Sequence, residues 1–91
     1  MDTTYNRLIV LENFGNDEVV TITDKTEIEW IISKVNNSPR KDASSIVLEH
    51  GPDGTMIFQG DRNTKEVHFF TDSGSVLTDN YIIDANLQFE P

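Results

Sequence analysis

The hydrophobic pattern of this chain changes period once, at Asp24, and that single change restricts the fold more than any other feature. From Asp24 onward Ile28, Ile31, Ile32 and Val35 recur at spacings of three, four and seven, which gathers them into one stripe along a helix. Asp24-Lys25-Thr26-Glu27 has the form of a capping box: an Asp24 carboxylate accepts from first-turn amides and Glu27 reaches back. Asn36-Asn37-Ser38-Pro39 stops the helix, because proline cannot continue it and pushes the preceding residue toward extended backbone. The pattern predicts one short helix near residues 24–37. Its stability has to come from packing against another layer.

The flanking segments have the period of two that marks strands. Tyr5 to Glu12 reads as a strand, with Leu8 and Val10 on one face and Ile9 and Leu11 on the other. Asn13-Phe14-Gly15-Asn16 suits a hairpin turn, and Asp17 to Thr23 is a second, β-branched strand. After the helix, Ser45–His50, Thr55–Gln59 and Glu66–Thr71 read as strands. Gly51-Pro52-Asp53-Gly54 and the loop 60–65 separate these three strands, and Asp72-Ser73-Gly74-Ser75 turns the chain after the last of them. Val76 to Asp84 forms a possible sixth strand, interrupted near Asp79-Asn80, and Ala85 to Pro91 is unassigned.

Loops this short join antiparallel neighbours. The expected architecture is therefore α+β: a mostly antiparallel meander of five to six strands, in ββαβββ order, with one helix packed on one face. The 91 residues fit a single domain spanning 1–91, and a 36% hydrophobic content supports only a thin core. The predicted core comprises Leu8, Val10, Val20, Ile22, Ile28, Ile31, Ile32, Val35, Ile46, Leu48, Met56, Phe58, Val67 and Phe69.

The charge is strongly acidic, with 16 Asp and Glu against 7 Lys and Arg and a net charge of −9. Glu66, Asp72, Asp79, Asp84 and Glu90 come after Lys65 with no further base. Bare nucleic acid and anionic membranes attract positive charge, so neither is an expected partner. A basic protein is, although the same acidity also suits simple solubility. The chain has no cysteine, and Met1-Asp2-Thr3-Thr4-Tyr5 lacks the pattern of a signal peptide, so a cytoplasmic location is expected.

No motif points to catalysis, a cofactor or a metal, and the expectation is that the chain is not an enzyme. His50 and His68 are the only histidines, and neither has a further ligand at a defined spacing. Ser44-Ser45 and Ser73-Gly74-Ser75 read as strand-edge and turn residues rather than nucleophiles. Scattered carboxylates pair by chance too easily to mark acid–base chemistry. Asp61-Arg62-Asn63 and Asp79-Asn80 do not extend into a twelve-residue calcium loop.

Binding is better supported. Trp30 lies about 200° around the helix from Ile28, away from the apolar stripe and beside Glu27, Ser33 and Lys34. Exposed there, it would be an interface anchor. Alternatively, loop Pro39–Ala43 or tail residues Leu87 and Phe89 cover it. The strand pattern also places Val47, Ile57 and Phe70 on the outer sheet face, interleaved with Glu49, Gln59 and His68. An outer face of this kind suits a protein partner, and it also occurs in antiparallel sheets that bind nothing. The candidate partner-binding residues are Trp30, Glu27, Glu49, Ile57, His68, Phe70 and Asp72.

From Asp24 to Thr71 the chain resembles a known family. The residues concerned are Thr26-Glu27-Ile28-Glu29-Trp30-Ile31-Ile32, Ser45-Ile46-Val47-Leu48-Glu49-His50-Gly51, Met56-Ile57-Phe58-Gln59-Gly60-Asp61 and Val67-His68-Phe69-Phe70. In this helix-then-meander order it is similar to the small immunity proteins of bacterial polymorphic toxin systems, in the family paired with nuclease and deaminase toxins. The resemblance implies an acidic cytosolic domain that binds a toxin and blocks its active site or nucleic-acid-binding surface. The functional expectation is a stoichiometric inhibitor. Alternatives are a phage-type nucleic-acid mimic directed at a DNA-binding protein, an accessory subunit that oligomerises through a sheet edge and, least supported, a small hydrolase.

Overall fold

The structure is a computed structural model that describes residues 5–12, 16–45, 51–78 and 80–88. Its elements are β1 (Arg7–Glu12), β2 (Asp17–Ile22), α1 (Lys25–Asn37), β3 (Arg40–Asp42), β4 (Gly54–Gln59), β5 (Thr64–Phe69), β6 (Val76–Thr78) and β7 (Tyr81–Ile83). A 3-10 turn, Ala43–Ser45, comes directly after β3. The strands form one antiparallel sheet in the order β2-β1-β4-β5-β6-β7-β3. The α+β class and the single helix match the sequence reading.

The strand order departs from a simple meander for a reason visible in the connections. β2 is one edge of the sheet and β3 the other, and α1 joins them. A 13-residue helix reaches about 20 Å, and a seven-stranded sheet is about 29 Å wide. The helix together with its extended flanks, Thr23–Asp24 and Ser38–Pro39, delivers the chain to the far edge. There β3, Arg40–Asp42, which the sequence pattern does not predict, pairs with β7. The expected strand Ser45–His50 falls almost entirely outside the described residues, and Ser45 itself belongs to the 3-10 turn. The expected strand Val76–Asp84 is a hairpin, β6 and β7, with Asn80 at φ 67° beside its turn. Asparagine tolerates that left-handed conformation better than most residues.

Both helix ends are closed by side chains. The Asp24 carboxylate accepts from the backbone amides of Thr26 (2.9 Å) and Glu27 (3.4 Å). At the other end, the Ser38 hydroxyl donates to the Lys34 carbonyl, and the Arg40 guanidinium donates to the Val35 and Asn36 carbonyls at 3.3 and 3.1 Å. Pro39 has no N–H to offer these last carbonyls, so side chains supply the donors.

The core lies between α1 and the sheet face beneath it. Ile28, Ile31, Ile32 and Val35 are buried with Leu8, Val10, Ile22, Met56, Phe58, Val67 and Phe69, as expected. Val20 is only partly buried, because edge strand β2 has no neighbour on its outer side. Ile46 and Leu48 lie outside the described residues. Tyr5, Val76, Ile83, Ala85 and Leu87 complete the cluster, and the Tyr5 ring is tilted 50° against Phe58 at 5.7 Å. Leu87 enters the core because the tail crosses Gly74, whose carbonyl accepts from the Leu87 amide at 3.0 Å. Gly74 adopts φ +74°, and a Cβ there would collide with the Leu87 backbone, so only glycine permits this crossing.

Candidate functional site

Two surfaces carry the binding residues expected from sequence, and they lie on opposite sides of the molecule. The first is the solvent side of α1. Trp30 is 60% exposed, so neither the Pro39–Ala43 segment nor the described part of the tail buries it. Leu87, one of the expected covers, is buried in the core instead, and Phe89 lies outside the described residues. Glu27 is one turn before Trp30 and exposed. Lys34 is one turn after it and holds its ammonium 5.2 Å from the ring centroid, a cation–π distance. The same nitrogen donates to the Asn86 carbonyl at 3.3 Å.

Glu27 also faces a shallow groove at the helix start. Val20, Ile22, Asp24 and Gln88 line its other sides. The Trp30 patch therefore borders a partly apolar hollow that opens at the β2 edge.

The second surface is the sheet face opposite α1. Ile57 is half-buried and His68 exposed there, on adjacent strands. Ile57 pairs with exposed Glu66, and His68, one step along β5, belongs to a row that crosses all seven strands. Glu18 pairs with Leu11, Leu11 with Thr55, Thr55 with His68, His68 with Leu77, Leu77 with Ile82 and Ile82 with Lys41. A bulge puts Glu18 at the end of this row. Val10 faces Val20 but the next residue, Leu11, faces Glu18, so one extra residue reverses the alternation of β2. The Thr21 hydroxyl donates to the Glu18 carboxylate on the same face.

The remaining candidates divide. Phe70 is a correction: it is only 6% exposed. β5 ends at Phe69, and Phe70 begins the next turn, where its amide donates to the Ser75 carbonyl and its carbonyl accepts from the Gly74 amide. Strand alternation no longer governs its direction, so it does not join the outer face. Asp72 is exposed in that turn. Glu49, with Val47 and His50, lies outside the described residues. The seven expected binding residues thus do not converge on one patch. Leu11 lies on the face opposite Leu8 and Val10, as the strand pattern expects, whereas Leu77, Ile82 and Lys41 belong to the outer face without having been expected there, and Tyr81 is a further unexpected exposed side chain at 43%. Successive strand residues point to opposite faces, so Ile83 is buried and Ile82 joins the outer row, a difference two adjacent isoleucines do not announce in sequence.

Among the described residues, no group of three or more His, Asp or Glu is placed to hold a metal ion. The Asp61 carboxylate accepts from the Asn6 side chain at 3.0 Å. Asp42 is a carboxyl with a distinct shift, held below its ordinary value by the Ser44 hydroxyl and then by the Ser44 backbone amide. That is turn chemistry at a sheet edge. Among the described residues no helix is long and apolar enough to cross a membrane. No protein-family model matches the chain, and neither does any curated protein or solved structure.

Proposed function

We propose that this chain is a non-catalytic acidic binding protein of the cytoplasm, a stoichiometric inhibitor of the immunity type directed at a basic toxin or nucleic-acid enzyme. The observation that carries the reading is Trp30. It is 60% exposed on the helix face turned away from the core, in a chain with a net charge of −9. A solvated tryptophan adds nothing to the fold and is among the residues that most often anchor interfaces. Net negative charge speeds encounter with a cationic partner. The nucleic-acid-mimic alternative wants carboxylates in rows, whereas the row across the outer sheet face holds one, Glu18.

Trp30 is the sole tryptophan, so a chain labelled with 5-fluorotryptophan gives one fluorine resonance. Titration with the basic products of the adjacent genes is expected to shift that resonance to an end point at one-to-one stoichiometry. The association rate is expected to fall steeply with added salt while dissociation changes little. An unmoved resonance with every such partner, or a salt-independent association rate, would overturn the proposal.

A further inference from the structure

Asp53-Gly54 is the one place in the sequence where an Asp or Asn precedes glycine. The structure accounts for both residues. Gly54 opens β4 and is buried, and a Cβ there would stand 2.2 Å from the Phe69 ring, so the close approach of that ring requires glycine. Asp53 supplies the carboxylate that holds Thr71, whose amide and hydroxyl donate to its two oxygens at 2.9 and 2.6 Å. Each requirement is one of packing or hydrogen bonding. Together they place a carboxyl beside the kind of backbone nitrogen that no side chain shields.

That pairing carries a chemistry of its own. The Gly54 backbone nitrogen can attack the side-chain carboxyl carbon of Asp53. A C–N bond forms, the C–OH bond breaks, and the amide proton leaves with the hydroxyl as water. The product is a five-membered succinimide. Water then opens the ring at either carbonyl, giving back aspartate or giving isoaspartate, in which the main chain runs through the former side-chain carbons. Water is the only co-reactant.

We infer that Asp53-Gly54 is a latent isoaspartate site, which the fold keeps closed through Thr71. Ring closure needs a neutral carboxyl free to swing over the Gly54 nitrogen. The two Thr71 donors favour the charged form and fix it to a residue 18 positions along the chain. The nitrogen must also turn toward the carboxyl, and Gly54 is set opposite Phe69 in the ladder of β4 and β5. Both restraints join the start of β4 to the end of β5 and its turn, so the site opens only when these segments part. Isoaspartate adds a carbon to the main chain directly ahead of β4 and displaces the carboxylate from Thr71, so an altered molecule does not regain the tie. The inference is independent of the inhibitor reading.

Ageing of the purified chain at neutral pH, followed by tryptic mapping, tests the inference without any partner. Asp53 falls in the peptide 42–62, and isoaspartate appears as a second peak of identical mass that a protein isoaspartyl methyltransferase labels. In the guanidinium-unfolded chain, isoaspartate is expected at Asp53 ahead of every other position. In the folded chain it is expected to form there at least about tenfold more slowly, because ring closure waits on local opening. Thr71→Val removes one of the two donors and is expected to raise the folded-state rate about fivefold, the worth of one typical hydrogen bond. Ile31→Val is a loss of stability placed in the core beneath α1, away from Asp53 and Thr71, and is expected to age at Asp53 more slowly than Thr71→Val. Both variants are aged at a temperature where their melts show them folded. Equal rates in the folded and unfolded chains overturn the inference. So does a Thr71→Val chain that ages no faster than the natural one, an Ile31→Val chain that ages as fast as Thr71→Val, or isoaspartate that forms chiefly at another position.

Discussion

The Lys34 ammonium sits 5.2 Å from the centroid of the Trp30 ring and at the same time donates to the Asn86 carbonyl, so the exposed indole is bracketed from the tail side by a tethered cation. The ring is held in place without being buried, which suits an anchor that must not lose much freedom on binding.

Neighbouring helix positions should therefore respond in opposite ways. Trp30→Ala is expected to leave the melting temperature nearly unchanged, as most surface changes do. It should weaken binding to a partner by about 2 kcal/mol or more. Ile31, 2% exposed, should show the reverse: Ile31→Ala is expected to cost about 2–5 kcal/mol of stability. Thermal melts of the two variants, side by side, check both. A large fall in melting temperature for Trp30→Ala would remove it as an anchor.

Gly54 on β4 lies opposite Phe69 on β5, and a Cβ at Gly54 would stand 2.2 Å from the Phe69 ring. Gly54→Ala is expected to destabilise by about 1–3 kcal/mol through overpacking. In the Phe69→Leu background the added cost should shrink, because the ring that would be struck is gone. Denaturant unfolding of the two single variants and the double variant measures the coupling, and additive losses would rule the contact out.

The Asp53 carboxylate ties the residue just before β4 to the turn after β5. It accepts from the Thr71 amide at 2.9 Å and from the Thr71 hydroxyl at 2.6 Å. Asp53→Ala leaves a part-buried amide without this acceptor and should cost about 1–3 kcal/mol. Thr71→Val removes only the hydroxyl bond and should cost less. Amide exchange at Thr71 should accelerate in the first variant and not in the second.

Asp42 is expected to titrate below the ordinary aspartate range, because the Ser44 hydroxyl and amide favour its charged form. Its folded-state pKa is lowered, so the stabilisation is present above the unfolded value and disappears as pH falls through the folded value. Full exposure keeps that contribution small. Carbon-detected titration of the Asp42 carboxyl should show the low midpoint, and Ser44→Ala should raise it.

Much of the fold is legible in local pattern. The stripe Ile28–Val35, the Asp24 cap and the stop at Pro39 are short-range signals, and α1 obeys them. Alternation places Leu8, Val10, Met56, Phe58, Val67 and Phe69 on the buried face, because a period of two survives wherever a strand is regular. It fails where regularity fails. The bulge at Val19 and Val20 turns Glu18 to the outer face, and the end of β5 lets Phe70 turn inward. β3 escapes a sequence reading because Arg40-Lys41-Asp42 has no apolar period, and it is a strand only because β7 lies beside it.

The candidate surfaces divide along the same line. Residues close in the chain were enough to give the acidity, the helical phase of Trp30 and the alternation of His68 with buried neighbours. Long-range packing was needed to leave Trp30 exposed and send Leu87 to the core. It was needed again to align Glu18 and Lys41 at the two ends of one row, from opposite edges of a seven-stranded sheet. Cross-strand register couples residues far apart in sequence, and no local period encodes which of them will meet.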